Sequence, residues 1–101
     1  PFTALICTND LMAIGAMGVL RRAGFSIPED VSVVGIDNAP FSSIVTPPLT
    51  TLGPEYSALG AEAFRLLRDV IELKKFGYRK FAPALIARES TARAPKPGRS
   101  A

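Results

Sequence analysis

The stretch Val31-Ser32-Val33-Val34-Gly35-Ile36-Asp37-Asn38 organises the interpretation of the whole chain. Its first six residues are mostly β-branched and apolar, which is typical of a buried parallel strand that is covered on both faces. A carboxylate and an amide follow directly at the carboxyl end of this strand. Open α/β sheets bind their ligands at that edge. We therefore expect Asp37 to lie beside a ligand site.

A strand and a helix precede this stretch and predict a βαβ unit. Phe2–Cys7 is a compact apolar run, typical of a buried strand, and Thr8-Asn9-Asp10 has the residue types that begin helices. Apolar residues then recur at helical spacing over residues 11–23. The two strands of such a unit are parallel and joined by a right-handed crossover. Asn9 and Asp37 should therefore lie at the same edge of the sheet.

The remainder of the chain predicts further elements of the same α/β fold with a parallel sheet. A loop is expected over residues 39–48, a short strand over 49–52, an amphipathic helix over 55–74 and a last strand over 83–88. Residues 92–101 hold proline, glycine and basic residues without periodicity, which predicts a disordered tail. The folded part is thus expected over residues 1–91.

Composition places the chain among ordinary globular proteins. Hydrophobic residues make up 48% of its 101 residues and charged residues 21%. The chain lacks an initial methionine and opens on a strand-like run, so we expect a piece of a longer protein. No apolar run approaches the roughly 20 residues of a membrane span, so no membrane partner is expected. The single cysteine, Cys7, forms no internal disulfide and suggests a reducing compartment such as the cytoplasm.

Charge is unevenly distributed along the chain. Residues 1–60 hold two basic and five acidic residues, whereas residues 61–101 hold ten basic and four acidic ones. A basic half can indicate contact with nucleic acid. No helix-turn-helix, zinc-finger or RNA-binding pattern accompanies it. We interpret the excess as a solvated helix face and a flexible tail.

The chain lacks the residues that most catalytic and metal sites use. It has no histidine and one cysteine, which excludes Ser-His and Cys-His pairs and the usual zinc ligand sets within these residues. It has no phosphate-binding GxxxxGK[ST] loop, and its GAMG sequence lies inside the predicted helix. We therefore expect no enzyme, no catalytic residue, no metal and no cofactor.

Binding is the function that remains for Asn9 and Asp37. A carboxylate accepts two hydrogen bonds from adjacent hydroxyls or ring N–H groups, and an amide both donates and accepts. This chemistry suits a sugar, a nucleoside or a purine. Two simpler interpretations stay open: Asn9 could cap the helix, and Asp37 could be an ordinary turn residue.

Four stretches together resemble one protein family. They are Thr8–Ala16, Ile27–Asn38, Thr46–Thr51 and Arg88-Glu89-Ser90-Thr91. In this order and spacing, over residues 1 to about 91, they resemble the LacI/GalR family of bacterial transcription regulators. The resemblance implies the C-terminal part of a two-lobed, periplasmic-binding-protein-like (type I) core that binds an effector between its lobes. Operator DNA would be bound by a helix-turn-helix head outside this chain.

The resemblance also implies roles for individual residues. Asn9 and Asp37 match positions that hydrogen-bond the effector, and Tyr56 matches a position that can line the pocket. Ile14 and Val45 match the surface that pairs two cores in a homodimer, although core packing would explain these two residues equally well. Leu49–Gly53 resembles the crossover strand between lobes, so the following helix would belong to the other lobe.

Three functions therefore compete. The first is the effector-sensing and dimerising part of a LacI-type regulator. The second is a fragment of a periplasmic sugar-binding protein of a transporter, which shares the architecture. The third, an enzyme of flavodoxin-like or Rossmann type, is disfavoured because neither a phosphate loop nor a catalytic pair is present.

Overall fold

A computed structural model of the chain describes residues 2–97. It confirms the α/β fold. In chain order the elements are β1 (Ala4–Ile6), α1 (Asp10–Arg22), β2 (Ser32–Ile36), a 3-10 turn (Pro40–Ser43), β3 (Thr50–Gly53), α2 (Tyr56–Leu73) and β4 (Ala84–Ile86).

The chain divides into two compact units. The sheet unit contains the residues up to Gly53 together with those from Leu85 onward, and the helix unit is Pro54–Ala84. This boundary follows β3 directly, at the place where the family resemblance puts a crossover between lobes.

The strands form one four-stranded sheet in the order β1-β2-β3-β4. β1 and β2 pair in parallel with Leu5 opposite Val33, and β2 and β3 pair in parallel with Gly35 opposite Thr51. The predicted β1-α1-β2 unit is therefore present. Because these three strands run in one direction, the residues that follow β1 and β2 meet at a single edge.

Helix α1 supplies most of the cover for one face of this sheet. Ala13, Met17 and Leu20 recur at spacings of four and three residues, and they are the apolar residues of α1 that are buried. They belong to a core cluster with buried residues of the strands and loops: Cys7, Ile27, Val31, Val33 and Leu49. Gly24, with φ of +88°, follows the helix and turns the chain back towards β2.

Within the described residues, β1 and β2 are covered on one face, whereas the sequence predicts cover on both. Ile6 is 72% exposed and Ile36 is 38% exposed, whereas Val33 is fully buried. Successive strand residues point to opposite faces, and α1 covers only one of them. The apolar runs therefore predict the strands, and residues 2–97 supply cover for one of their two faces.

The helix unit is built by local contacts. The carboxylate of Glu55 caps α2 by accepting hydrogen bonds from the N–H groups of Ser57 and Ala58, at 3.1 and 2.7 Å. The helix ends where Lys74 adopts a left-handed conformation with φ of 53°. No residue of α2 is buried, and several of its large apolar residues are exposed, with Phe64 at 68%.

Residues 92–97 carry no regular secondary structure. Ala92 nevertheless exchanges two hydrogen bonds with the hydroxyl of Ser32. Residues 98–101 lie outside the described residues, so disorder of the tail over 92–101 stays a prediction. In the described part of the chain, neither helix is long and apolar enough to cross a membrane.

Candidate ligand-binding edge of the sheet

Asn9 follows β1 and begins helix α1. Its backbone is extended, with φ of −154°, and its Oδ1 accepts a hydrogen bond from the N–H of Met12 at 2.8 Å. The side chain is half-buried. Asn9 is therefore a helix cap, as the simpler interpretation expected. Because capping uses Oδ1, the Nδ2 amide is the donor that a ligand at this edge could meet.

Asp37 follows β2 at the same edge and has an unusual backbone. Its φ is 120°, and that of Asn38 is 53°. Asparagine tolerates the left-handed region, but an aspartate at φ of 120° is strained by about 1–3 kcal/mol. The residue is exposed. Strain of this kind is kept only where surrounding contacts impose it, and it clusters at functional sites.

Strand β3 imposes part of this conformation. The N–H of Asp37 donates to the carbonyl of Leu52 at 2.7 Å, and the N–H of Asn38 donates to Thr51 Oγ1 at 3.2 Å. Gly53 allows the close approach, because a Cβ there would lie 2.5 Å from Asn38 Cβ and 2.9 Å from the carbonyl oxygen of Asp37. The turn therefore depends on the absence of a side chain at residue 53.

Asp10 anchors the same turn from the other side. Its carboxylate is buried, with 1% exposure, and both oxygens accept hydrogen bonds: Oδ1 from Thr51 Oγ1 at 2.6 Å and Oδ2 from the N–H of Ala39 at 2.8 Å. A Cβ on Gly35 would collide with this carboxylate and lie 3.0 Å from Leu49 Cδ2. The sequence indicates Asp10 only as part of a helix start and does not predict the hydrogen bonds that its carboxylate accepts.

Arg88 closes the loop over residues 38–49. Its guanidinium donates from Nη2 to Asn38 Oδ1 at 2.9 Å, and from Nη1 to Ser42 Oγ at 2.7 Å and to the carbonyl of Leu49 at 2.9 Å. Its own N–H donates to Thr50 Oγ1 at 2.9 Å. Three loop positions are thus held by one side chain from the end of the chain. The Arg88-Glu89-Ser90-Thr91 motif was the available signal, but its spacing gives no role.

Ser90 ties β2 to β3 below this loop. The residue is fully buried, its Oγ donates to the carbonyl of Val33 at 2.6 Å, and the same oxygen accepts from the N–H of Thr50 at 2.8 Å. The N–H of Val33 donates to the carbonyl of Ser90 at 2.8 Å. These bonds explain why a polar residue occupies a buried position.

The polar side chains that follow β1 and β2 at this edge are the amide of Asn9 and the carboxylate of Asp37, and Cys7 precedes Asn9 by two residues. Burial raises the pKa of the Cys7 thiol, because the thiolate would lose its hydration. The thiol is therefore neutral near pH 7. Residues 2–97 contain no group of three histidine, cysteine, aspartate or glutamate side chains that could hold a metal ion.

The other predicted site residues have different surroundings. Tyr56 is the first residue of α2 in the helix unit and is 51% exposed. Ile14 and Val45 are partly buried and pack against the core cluster of the sheet unit. Core packing is therefore observed for both, while the pocket role of Tyr56 and the dimer role of Ile14 and Val45 stay predictions.

Comparisons with known proteins agree with the fold. A family model described as a periplasmic binding protein-like domain matches residues 1–91. The HTH-type transcriptional regulator MalR of Streptomyces coelicolor is 41% identical over 95 residues, covering 92% of this chain and 28% of that protein.

Two solved structures of LacI family transcriptional regulators are also similar. One, from Enterococcus faecium with bound ribose, is 35% identical with a TM-score of 0.81 over 89% of this chain and 34% of that one. The other, from Arthrobacter sp. FB24 in complex with lactose, is 29% identical with a TM-score of 0.80 over 88% and 34%.

The chain spans just over a quarter of the length of MalR, at 28%, and about a third of each solved regulator, at 34%. All three proteins are transcription regulators, which removes the transporter fragment from the competing functions. This chain therefore belongs to the periplasmic binding protein-like domain family, and within that family it corresponds to a portion of the core of LacI-type transcription regulators.

Proposed function

We propose that this chain is the effector-sensing and dimerising part of a LacI-type transcription regulator. The observation that carries the proposal is the placement of Asn9 and Asp37 at one edge of a parallel sheet. An amide and a strained, exposed carboxylate follow neighbouring strands there. Binding at this edge is the general behaviour of open α/β sheets.

The effector class follows from the two side chains. An aspartate accepts hydrogen bonds from two adjacent hydroxyls, and the asparagine amide donates to a hydroxyl or ring oxygen. We propose a sugar, or the sugar of a nucleoside, as the ligand. Bound ribose and bound lactose in two similar regulators support this class.

Isothermal titration calorimetry tests the site. The complete protein that carries this chain is titrated with D-ribose, lactose and adenosine, and the Asp37→Ala variant is compared with the unchanged protein. Loss of a charged hydrogen-bond partner should weaken binding by about 1.5–3 kcal/mol, or roughly 10- to 150-fold. Glu29→Ala, an exposed carboxylate in the turn before β2, is the matched control and should bind as the unchanged protein does. Unchanged affinity in Asp37→Ala would remove that residue from the site.

The proposal also includes the partners of the protein, a second copy of the chain and operator DNA. We infer a cytoplasmic homodimer that binds operator DNA through a head domain outside these residues, with Tyr56 lining the effector pocket. Ile14 and Val45 would lie in the dimer surface, and the neighbouring Ile44, which is 79% exposed, would contribute most of the contact. Ile44→Glu should convert the dimer to a monomer in light scattering, whereas an unchanged mass would place the interface elsewhere.

The proposal assigns binding without turnover. The chain has no histidine to act as a base, and the described residues contain no metal cluster. Sugar recovered unchanged after long incubation with the protein is the expected result, and a new product detected by chromatography would contradict it.

A further inference from the structure

The turn that presents Asp37 is held by four groups from three separate segments. Strand β3 contributes the carbonyl of Leu52 and the hydroxyl of Thr51, the start of α1 contributes Asp10, and the segment after β4 contributes Arg88. Three of these groups bond to main-chain N–H groups of the turn. Arg88 is the one that bonds to its side chain, through Asn38 Oδ1.

Arg88 is itself fixed at both ends. Its N–H donates to Thr50 Oγ1, which places its Cα, and Nη1 donates to Ser42 Oγ and the carbonyl of Leu49, which orients the guanidinium plane. A guanidinium presents its donors in a rigid planar fork, so Nη2 has little freedom once Nη1 is bound. The hydrogen bond from Nη2 therefore restrains the position of Asn38 within the turn.

We propose that Arg88 is a positioning residue for Asp37, the residue whose carboxylate is proposed to contact the effector. By holding Asn38 in its left-handed conformation, it keeps the neighbouring Asp37 at a φ of 120° and so sets where the Asp37 carboxylate stands. This inference rests on the proposed function, because it needs Asp37 to contact the effector. It gives a role to the motif at residues 88–91 that the sequence leaves without one.

Amide hydrogen exchange tests the positioning without any ligand. In the complete protein, Arg88→Ala should speed exchange at the amides of Asp37, Asn38 and Ala39 by about tenfold more than at the α1 amides. The α1 amides correct for any loss of global stability. An equal change at both sets, or no change at the turn, would overturn the proposal.

Two substitutions at residue 38 separate the arginine contact from backbone preference. Asn38→Gly accepts a positive φ but cannot accept a hydrogen bond from Arg88, so it should speed exchange as Arg88→Ala does. Asn38→Asp keeps the acceptor and tolerates the same conformation, so protection should be retained. The reverse result, loss in Asn38→Asp and protection in Asn38→Gly, would show that backbone preference alone holds the turn.

Calorimetry with D-ribose and lactose then connects position to binding. If the unchanged protein binds either sugar, Arg88→Ala and Asn38→Gly should each weaken binding about tenfold. The double variant should be no weaker than Arg88→Ala alone, because the hydrogen bond that Asn38→Gly removes is already absent there. Full affinity in the single variants, together with faster exchange at the turn, would refute the link to binding. If neither sugar binds, the sugar effector of the proposed function fails, while the exchange result still decides whether Arg88 positions the turn.

Discussion

The polar side chains of the two units bond over very different distances along the chain. In the sheet unit, Thr51 reaches Asp10 across 41 residues, Arg88 reaches Asn38 across 50, and Ser90 reaches Val33 across 57. In the helix unit, the ion pairs of Arg65 with Glu62 and Asp69 span three and four residues. The first set fixes tertiary structure, and the second stabilises a single helix.

Burial separates the two sets as sharply as distance does. Asp10, Thr51 and Ser90 are buried, so a lost partner leaves a desolvated group without compensation. The side chain of Arg65 is 47% exposed, and water replaces a lost partner at little cost. Substitutions in the sheet unit should therefore have large effects on stability, and charge substitutions in α2 should have small ones.

The largest effect is expected from Asp10→Ala. The substitution leaves the Thr51 hydroxyl and the Ala39 N–H without their acceptor inside the protein, and we expect the free energy of unfolding to fall by about 3–5 kcal/mol. Asp10→Asn keeps the shape and one acceptor oxygen, so about half of that loss is expected. Urea denaturation measures both. Equal stability of Asp10→Ala and the unchanged protein would contradict a stabilising role for the two hydrogen bonds of Asp10.

A pair of glycine substitutions sharpens the comparison. Gly35→Ala places a Cβ against the Asp10 carboxylate and the Asp10 backbone, and we expect it to lower the free energy of unfolding by about 2–3 kcal/mol. Gly60→Ala, within α2, meets no atom within 4 Å. It should raise helix stability by about 0.5–1 kcal/mol, because alanine is the better helix former. Thermal unfolding followed by circular dichroism should show opposite shifts, and shifts of one sign would break the comparison.

Ser90→Ala should be less severe than these. It removes the acceptor for the Thr50 N–H and the donor to Val33, and we expect a loss of about 2 kcal/mol in the free energy of unfolding. Ser43→Ala is the matched control, since its hydroxyl bonds to the carbonyl of Pro40 on the exposed loop. That change should stay within about 0.5 kcal/mol. A smaller loss in the free energy of unfolding for Ser90→Ala than for Ser43→Ala would contradict this prediction.

The smallest effect concerns the ion pair of Glu62 and Arg65. The hydrogen bond from Arg65 lowers the pKa of Glu62, and the charge of Arg65 adds to the effect. A carboxyl with a lowered pKa stabilises the fold above its ordinary pKa, and this stabilisation is lost as pH falls through the lower value in the folded state. The pH dependence of stability should therefore differ between Glu62→Gln and the unchanged protein only below about pH 5, where the carboxyl begins to protonate in the unfolded chain. A difference that grows above pH 6 would contradict the assignment.

The same contrast explains what could be predicted from sequence. Helices and strands were located within a few residues, because apolar periodicity and helix-start residues are local signals. The edge shared by Asn9 and Asp37 followed from the parallel arrangement of a βαβ unit. The 3-10 turn at Pro40–Ser43 was missed inside the predicted loop, since it leaves no periodic pattern.

The long-range hydrogen bonds at this edge of the sheet could not be predicted in the same way. Nothing in the spacing of Asp10, Thr51, Arg88 and Ser90 indicates that they bond across the sheet. Their pairing depends on strand register and on loop geometry, which appear only in three dimensions. An apolar run also does not state which residues cover each face of a strand, and residues 2–97 cover one face of β1 and β2.

The long sequence separations have a consequence for synthesis. The Asn38 side chain leaves the ribosome 50 residues before Arg88, the donor that holds it. Because translation proceeds at about 5–20 residues per second, Arg88 is added to the chain several seconds after the strained turn. The nascent sheet can assemble around Asp10 and Thr51 in the meantime, but the turn at Asn38 is completed only when Arg88, which follows the last strand, has been translated.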